Sequence, residues 1–108
     1  MREIEKMVKR KNEAIKSAKA YVDLVRKVFF VKQAYLFGSV VNGKMHEWSD
    51  IDIAIVSEEF TEMPIFMAGR ILCRLAHHVD VDIEPVLLLP EEIEKFKADA
   101  RQWIEDER

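Results

Sequence analysis

The sequence predicts an α/β (α+β) fold in which helices cover a small mixed β-sheet. Three observations carry this. Apolar residues recur at helical spacing in three stretches, short β-prone runs lie between them, and two of those runs alternate apolar residues with carboxylates. The chain has 108 residues, 49% hydrophobic and 34% charged, with three Gly and three Pro. That length and composition suit a single globular domain over 1–108 rather than a disordered or fibrous chain.

From Ile4, the residues Met7, Val8, Ile15, Ala18, Val22, Val25 and Phe29 step by three, four or seven, which predicts a long amphipathic helix. Lys32 and Gln33 break the pattern, and Ala34-Tyr35-Leu36-Phe37 reads as a short buried strand that stops at Gly38. Residues 38–49 read as loop. Ile51, Ile53 and Ile55 then alternate with Asp52 and Ala54, giving a strand with one apolar face and one face bearing a carboxylate. After a polar turn at 57–62, Ile65, Ala68, Ile71, Leu72, Leu75 and Ala76 predict a second helix ending near His77-His78. Val79, Val81 and Ile83 alternate with Asp80, Asp82 and Glu84, predicting a third strand over 79–89, and Pro85 argues for a sheet edge or a bulge there. Pro90-Glu91-Glu92 suits a helix start, and Ile93, Phe96, Ala100 and Trp103 predict a closing helix.

The net charge of −3, from 20 acidic and 17 basic residues, offers no broad positive field, so nucleic acid is disfavoured as a partner. Lys6, Lys9, Arg10, Lys11 and Lys16 read as a solvated helix face. Cys73 is the single cysteine, so it forms no internal disulfide and no thiolate zinc site by itself; between Leu72 and Leu75 it reads as a buried thiol. The charged N-terminus and the lack of an apolar run of about 18 residues predict no membrane span and a cytoplasmic location.

The chemistry concentrates in Ser49-Asp50-Ile51-Asp52. Two-residue spacing on a strand points both carboxylates to one face, where they repel unless a cation neutralises them. Oxygen-only ligation suits Mg²⁺, with Mn²⁺ as the alternative. Upstream, Gly38-Ser39 closes a strand and Gly43 follows, giving a loop whose hydroxyl and N–H groups can cradle phosphate oxygens. His77 and His78 are adjacent and cannot share a helical face, so they suit the helix C-terminal dipole. His46 and Trp48 lie in the loop, where they could meet a base or simply pack.

Gly38-Ser39, a ten-residue interval, and then Asp50-Ile51-Asp52 in an apolar strand resemble the DNA polymerase beta-like nucleotidyltransferase superfamily, and the size resembles its minimal nucleotidyltransferases. The resemblance implies that Gly38 and Ser39, with Ser49 closing the loop, bind the nucleotide. Asp50 and Asp52 would hold two Mg²⁺ ions with a third acid. Asp82 is the preferred third acid, because it lies among apolar neighbours; Glu84 is the alternative metal ligand, on its spacing to Pro90. The implied reaction moves a nucleotidyl group, AMP from ATP or its counterpart from another nucleoside triphosphate, onto a hydroxyl. With no second domain for the acceptor, the resemblance further implies a partner protein of the HEPN toxin type, the chain acting as antitoxin. The alternative is a non-catalytic subunit of the same fold that neutralises its partner by contact. Phe29-Phe30-Val31 extends the apolar surface, which suits either a homo-oligomer or the core.

Overall fold

The computed structural model describes residues 2–42, 45, 49–97 and 102–106, with the backbone alone at Asn42, Lys97 and 102–106. Gly43, His46, Trp48 and Ala100 lie outside the described residues. Helix α1 (Glu3–Val25) begins with Glu3 and Glu5 in its first turn, where they favour the positive end of the helix dipole. Strand β1 (Gln33–Phe37) leads through Gly38 into the one-turn helix α2 (Ser39–Asn42). Then come β2 (Ile51–Val56), a 3₁₀ turn at Glu58–Thr61, α3 (Ile65–Val79), β3 (Ile83–Leu88), a second 3₁₀ turn at Pro90–Glu92, α4 (Ile93–Lys97) and β4 (Gln102–Asp106).

The four strands form one mixed sheet in the order β3-β2-β1-β4. β1 is antiparallel to both neighbours, whereas β2 and β3 are parallel. A parallel pair needs a long crossover, and α3 supplies it. β3 lies at the sheet edge, which accommodates Pro85 as its sequence requires.

Alternation along β1 and β2 divides the core into two. Ala34, Leu36, Ile51, Ile53 and Ile55 face α1 and α3, meeting Ala14, Ala18, Tyr21, Val22, Val25, Ala68, Leu72 and Ala76. Tyr35, Ala54, Val56 and Leu88 face the other way and pack against Ile93 of α4, with Phe37 and Phe96 at the margin. Phe96 sets its ring edge-on to Phe37 at 5.0 Å and tilted to Tyr35 at 5.7 Å. Tyr21 donates its buried hydroxyl to Leu72 O at 3.0 Å, linking α1 to α3. Burial, then the Cys73 charge, pushes the Tyr21 phenol above its ordinary range.

The α/β layering is as the periodicities predict, with several local differences. The predicted 38–49 loop contains α2, and α1 ends at Val25 rather than running to Phe29. Phe29 and Val31 are core, while Phe30 is 57% exposed. In the first turns of α1, Ile4 and Val8 are exposed and line a cleft of about 190 Å³. The third strand begins at Ile83, four residues later than predicted, because α3 continues through Val79 and a turn follows. In that turn Ile83 N donates to Asp80 O at 3.1 Å and Asp82 N to Asp80 Oδ1 at 2.9 Å. The aspartate side chain thus competes with strand pairing, and Val81 turns outward. The closing helix stops at Lys97, and Trp103 lies in β4, whose pairing covers the otherwise open edge of β1. Cys73 is exposed rather than buried, because α3 buries the stripe of Ala68, Leu72 and Ala76 instead.

Candidate active site

The site forms where β1 ends and β2 and β3 begin. Asp52 is partner to Phe37 on one side and to Glu84 on the other. Cross-strand partners share a face, so the Asp52 and Glu84 carboxylates project together from the sheet face that carries Ala54 and Val56. Asp50 precedes β2 by one residue and is exposed, Asp52 is partly buried, and Glu84 is exposed.

Gly38 is what lets the chain turn here. Its φ is +74°, a region that L side chains rarely adopt. A Cβ on Gly38 would fall on Asp52 Oδ2 and come within 3.2 Å of Asp52 Cγ. The glycine backbone is therefore seated directly on the carboxylate. Gly38 O accepts from Val41 N at 3.1 Å, and Ser39 opens α2 immediately after the turn.

Among the described residues, the charges acting on Asp52 are negative. Partial burial first, then the charges of Glu84 and Asp50, raise the Asp52 pKa above the ordinary carboxylate range. Among the described residues the ligating groups here are carboxylate oxygens, the ligand set of a hard divalent cation, and such a cation would offset the repulsion among them. Among the described residues, no three His, Cys, Asp or Glu side chains already converge on one point as a closed metal cage. The carboxylates form instead an open negative face, which suits an ion that takes part of its shell from water and phosphate. The donor set fits Mg²⁺ or Mn²⁺.

Asp82 and Glu84, the two candidates for the third acid, are held differently. Glu84 stands beside Asp52. Asp82 sits in the turn before β3, and its Oδ2 accepts from Arg10 Nη2 at 3.0 Å, so its charge is engaged by α1. Ser49 is 8% exposed, and its carbonyl accepts from the same Arg10 nitrogen at 3.2 Å. Arg10 itself is not part of a solvated basic face, since its side chain is 13% exposed. Its only sequence signal is its spacing: it stands four residues before Ala14, the first residue of the buried stripe of α1. His77 and His78 are exposed in the last turn of α3, as a dipole role requires.

The sequence profile of the nucleotidyltransferase domain matches residues 1–108. The chain belongs to the nucleotidyltransferase domain family. Comparison with curated proteins finds no match. Among solved structures, this nucleotidyltransferase is similar to an inferred nucleotidyltransferase from Sulfolobus solfataricus, solved at 1.40 Å. The two share 26% identity over 90% of this chain and 85% of the other, with a TM-score of 0.75. Among the described residues, no helix is long and apolar enough to cross a membrane.

Proposed function

We propose that the protein is a metal-dependent nucleotidyltransferase that moves AMP from ATP to a hydroxyl group. Asp50, Asp52 and Glu84 would be its metal-holding carboxylates, and Gly38, Ser39 and the loop closed by Ser49 its nucleotide-binding elements. The observation that carries this reading is the seating of the Gly38 turn on Asp52, with Glu84 in register beside it. This supports Glu84 over Asp82 as the third acid, because Asp82 is already engaged by Arg10.

Held by these oxygens, Mg²⁺ or Mn²⁺ would supply charge neutralisation at the α-phosphate and acidify the attacking hydroxyl. The residues of this chain have their own tasks. The Gly38 turn brings backbone close to the phosphates without a side chain in the way. Ser39, at the start of α2, offers a hydroxyl donor to a phosphate oxygen. The carboxylates form one negative face set on strand ends, so little reorganisation is needed as charge shifts from the hydroxyl to the departing pyrophosphate. Attack of the hydroxyl oxygen forms the new P–O bond as the bond to pyrophosphate breaks, and the hydroxyl proton passes to a site carboxylate or solvent.

The acceptor we propose is a hydroxyl on a partner protein of the HEPN toxin type, with this chain as antitoxin in the cytoplasm. That part rests on the resemblance to minimal nucleotidyltransferases. The test is incubation of the purified protein with α-labelled ATP and Mg²⁺, with and without a co-purifying partner, beside an Asp50→Asn/Asp52→Asn variant. Label transferred to the partner by the unmodified protein alone supports the full reading. No transfer with any nucleotide or with Mn²⁺, although partner is bound, would replace catalysis with neutralisation by contact.

A further inference from the structure

We propose that Arg10 is a positioning residue of the site, holding together the two chain segments that deliver Asp50 and Glu84; this rests on the nucleotidyl-transfer reading. The guanidinium reaches two acceptors on two different segments. Nη2 lies 3.2 Å from Ser49 O, the residue immediately before Asp50, and 3.0 Å from Asp82 Oδ2, two residues before Glu84. The same two segments are joined by Ile51 N donating to Asp82 O at 2.8 Å. Arg10 therefore closes a link in which the β2 entrance, the β3 entrance and α1 are mutually fixed.

A second bond from the same helix supports this role. Ser17 Oγ donates to Asp80 Oδ2 at 3.1 Å, and the other oxygen of Asp80 accepts from Asp82 N at 2.9 Å. Arg10 and Ser17 are seven residues apart, two helical turns on one side of α1, so a rigid rod grips the turn before β3 twice. The two contacts act on backbone and side chain upstream of each metal-holding acid. The rod lies on the sheet face opposite Asp52, which keeps Arg10 out of the site while fixing its frame.

Arginine also carries a cost to stability here. Its Nε is buried with no hydrogen-bond partner among the described residues, and an unmet buried donor opposes folding where an apolar side chain would not. What arginine does supply is a permanent charge and a terminal nitrogen, Nη2, whose two N–H groups meet acceptors from two segments.

The test measures Mn²⁺ binding by electron paramagnetic resonance, together with steady-state transfer from ATP, for the purified wild-type chain and its Asp52→Asn, Arg10→Met and Arg10→Lys variants. Mn²⁺ bound by wild type and lost in Asp52→Asn establishes the site. Outer contacts to metal ligands typically change affinity or activity by about 10–100-fold. Arg10→Met is thus expected to weaken Mn²⁺ by about tenfold or more and to lower kcat with little change in nucleotide KM. Arg10→Lys, which keeps the charge and one donor nitrogen on a shorter, more flexible stem, is expected to recover part of both. A folded Arg10→Met with wild-type Mn²⁺ affinity and kcat, and only a lower Tm, would overturn the positioning role. Should Arg10→Met not fold, Arg10→Lys decides: reduced Mn²⁺ affinity with intact fold supports the role, and wild-type affinity overturns it. A wild type that binds no Mn²⁺ and transfers no label overturns the nucleotidyl-transfer reading itself, and the role of Arg10 with it.

Discussion

Replacing Gly38 with alanine strikes the fold and the site at one atom. The backbone there has φ +74°, and forcing an L residue into that region costs about 1–2 kcal/mol. Alanine also narrows the unfolded ensemble, which offsets about 0.4–1 kcal/mol. The new methyl falls on Asp52 Oδ2, so the carboxylate must leave its rotamer at a further cost of about 0.5–1.5 kcal/mol. The expected loss is then about 0.5–3 kcal/mol, or roughly 4 °C of Tm per kcal/mol at this chain length. Activity should suffer more than stability, because misplacing a site group by about 1 Å can reduce turnover about 100-fold. Urea unfolding and transfer from labelled ATP measure the two effects. The decisive control is Gly38→Ala in an Asp52→Ala background, where the oxygen is gone and Cβ keeps an ordinary 3.5 Å separation. There the stability loss should shrink by about 0.5–1.5 kcal/mol, the coupling between the two positions. An equal loss in both backgrounds, or a Gly38→Ala enzyme of wild-type turnover, would refute the contact from which the site is built.

Other consequences can be checked with the same protein. Without metal, the raised Asp52 pKa makes the folded state bind protons more readily than the unfolded chain. Stability should therefore fall as pH rises from the ordinary aspartate range through the raised value, and Asp52→Asn should flatten that segment and raise the Tm at neutral pH. Mg²⁺ or Mn²⁺ should raise the wild-type Tm by mass action, and a thermal scan of Asp52→Asn should show that increment lost. Glu84→Gln should reduce metal affinity and turnover by about 10–100-fold, and Asp82→Asn by less; equal effects would argue against the register with Asp52 as the organising feature. Tyr21→Phe should lower stability by about 1 kcal/mol through its lost bond to Leu72 O and leave transfer unchanged, as urea unfolding and the labelled-ATP assay would show.

The sequence by itself determined the layered α/β class, because apolar period is set residue by residue. The Ile51, Ile53, Ile55 alternation could sit only on a strand, and Ala68, Leu72, Ala76 only on a helix. It also marked Gly38-Ser39 and Asp50-Ile51-Asp52, since glycine at a strand end and carboxylates flanked by isoleucine are costly unless a turn or a cation calls for them. Tertiary structure decided what depends on partners distant in sequence. Asp80, Val81 and Asp82 keep strand alternation yet form a turn, because Asp80 bonds the backbone two residues on. Trp103 fits a helical stripe yet lies in a strand, because the open edge of β1 offers it hydrogen bonds. The two candidate third acids, Asp82 and Glu84, have the same alternation in sequence. They part only when β3 is set parallel to β2, Glu84 meets Asp52, and Arg10, 72 residues away, takes Asp82. No local pattern encodes that difference in placement, on which the proposal of Glu84 as third acid rests, because it is made by a helix and two strands that meet only in the folded chain.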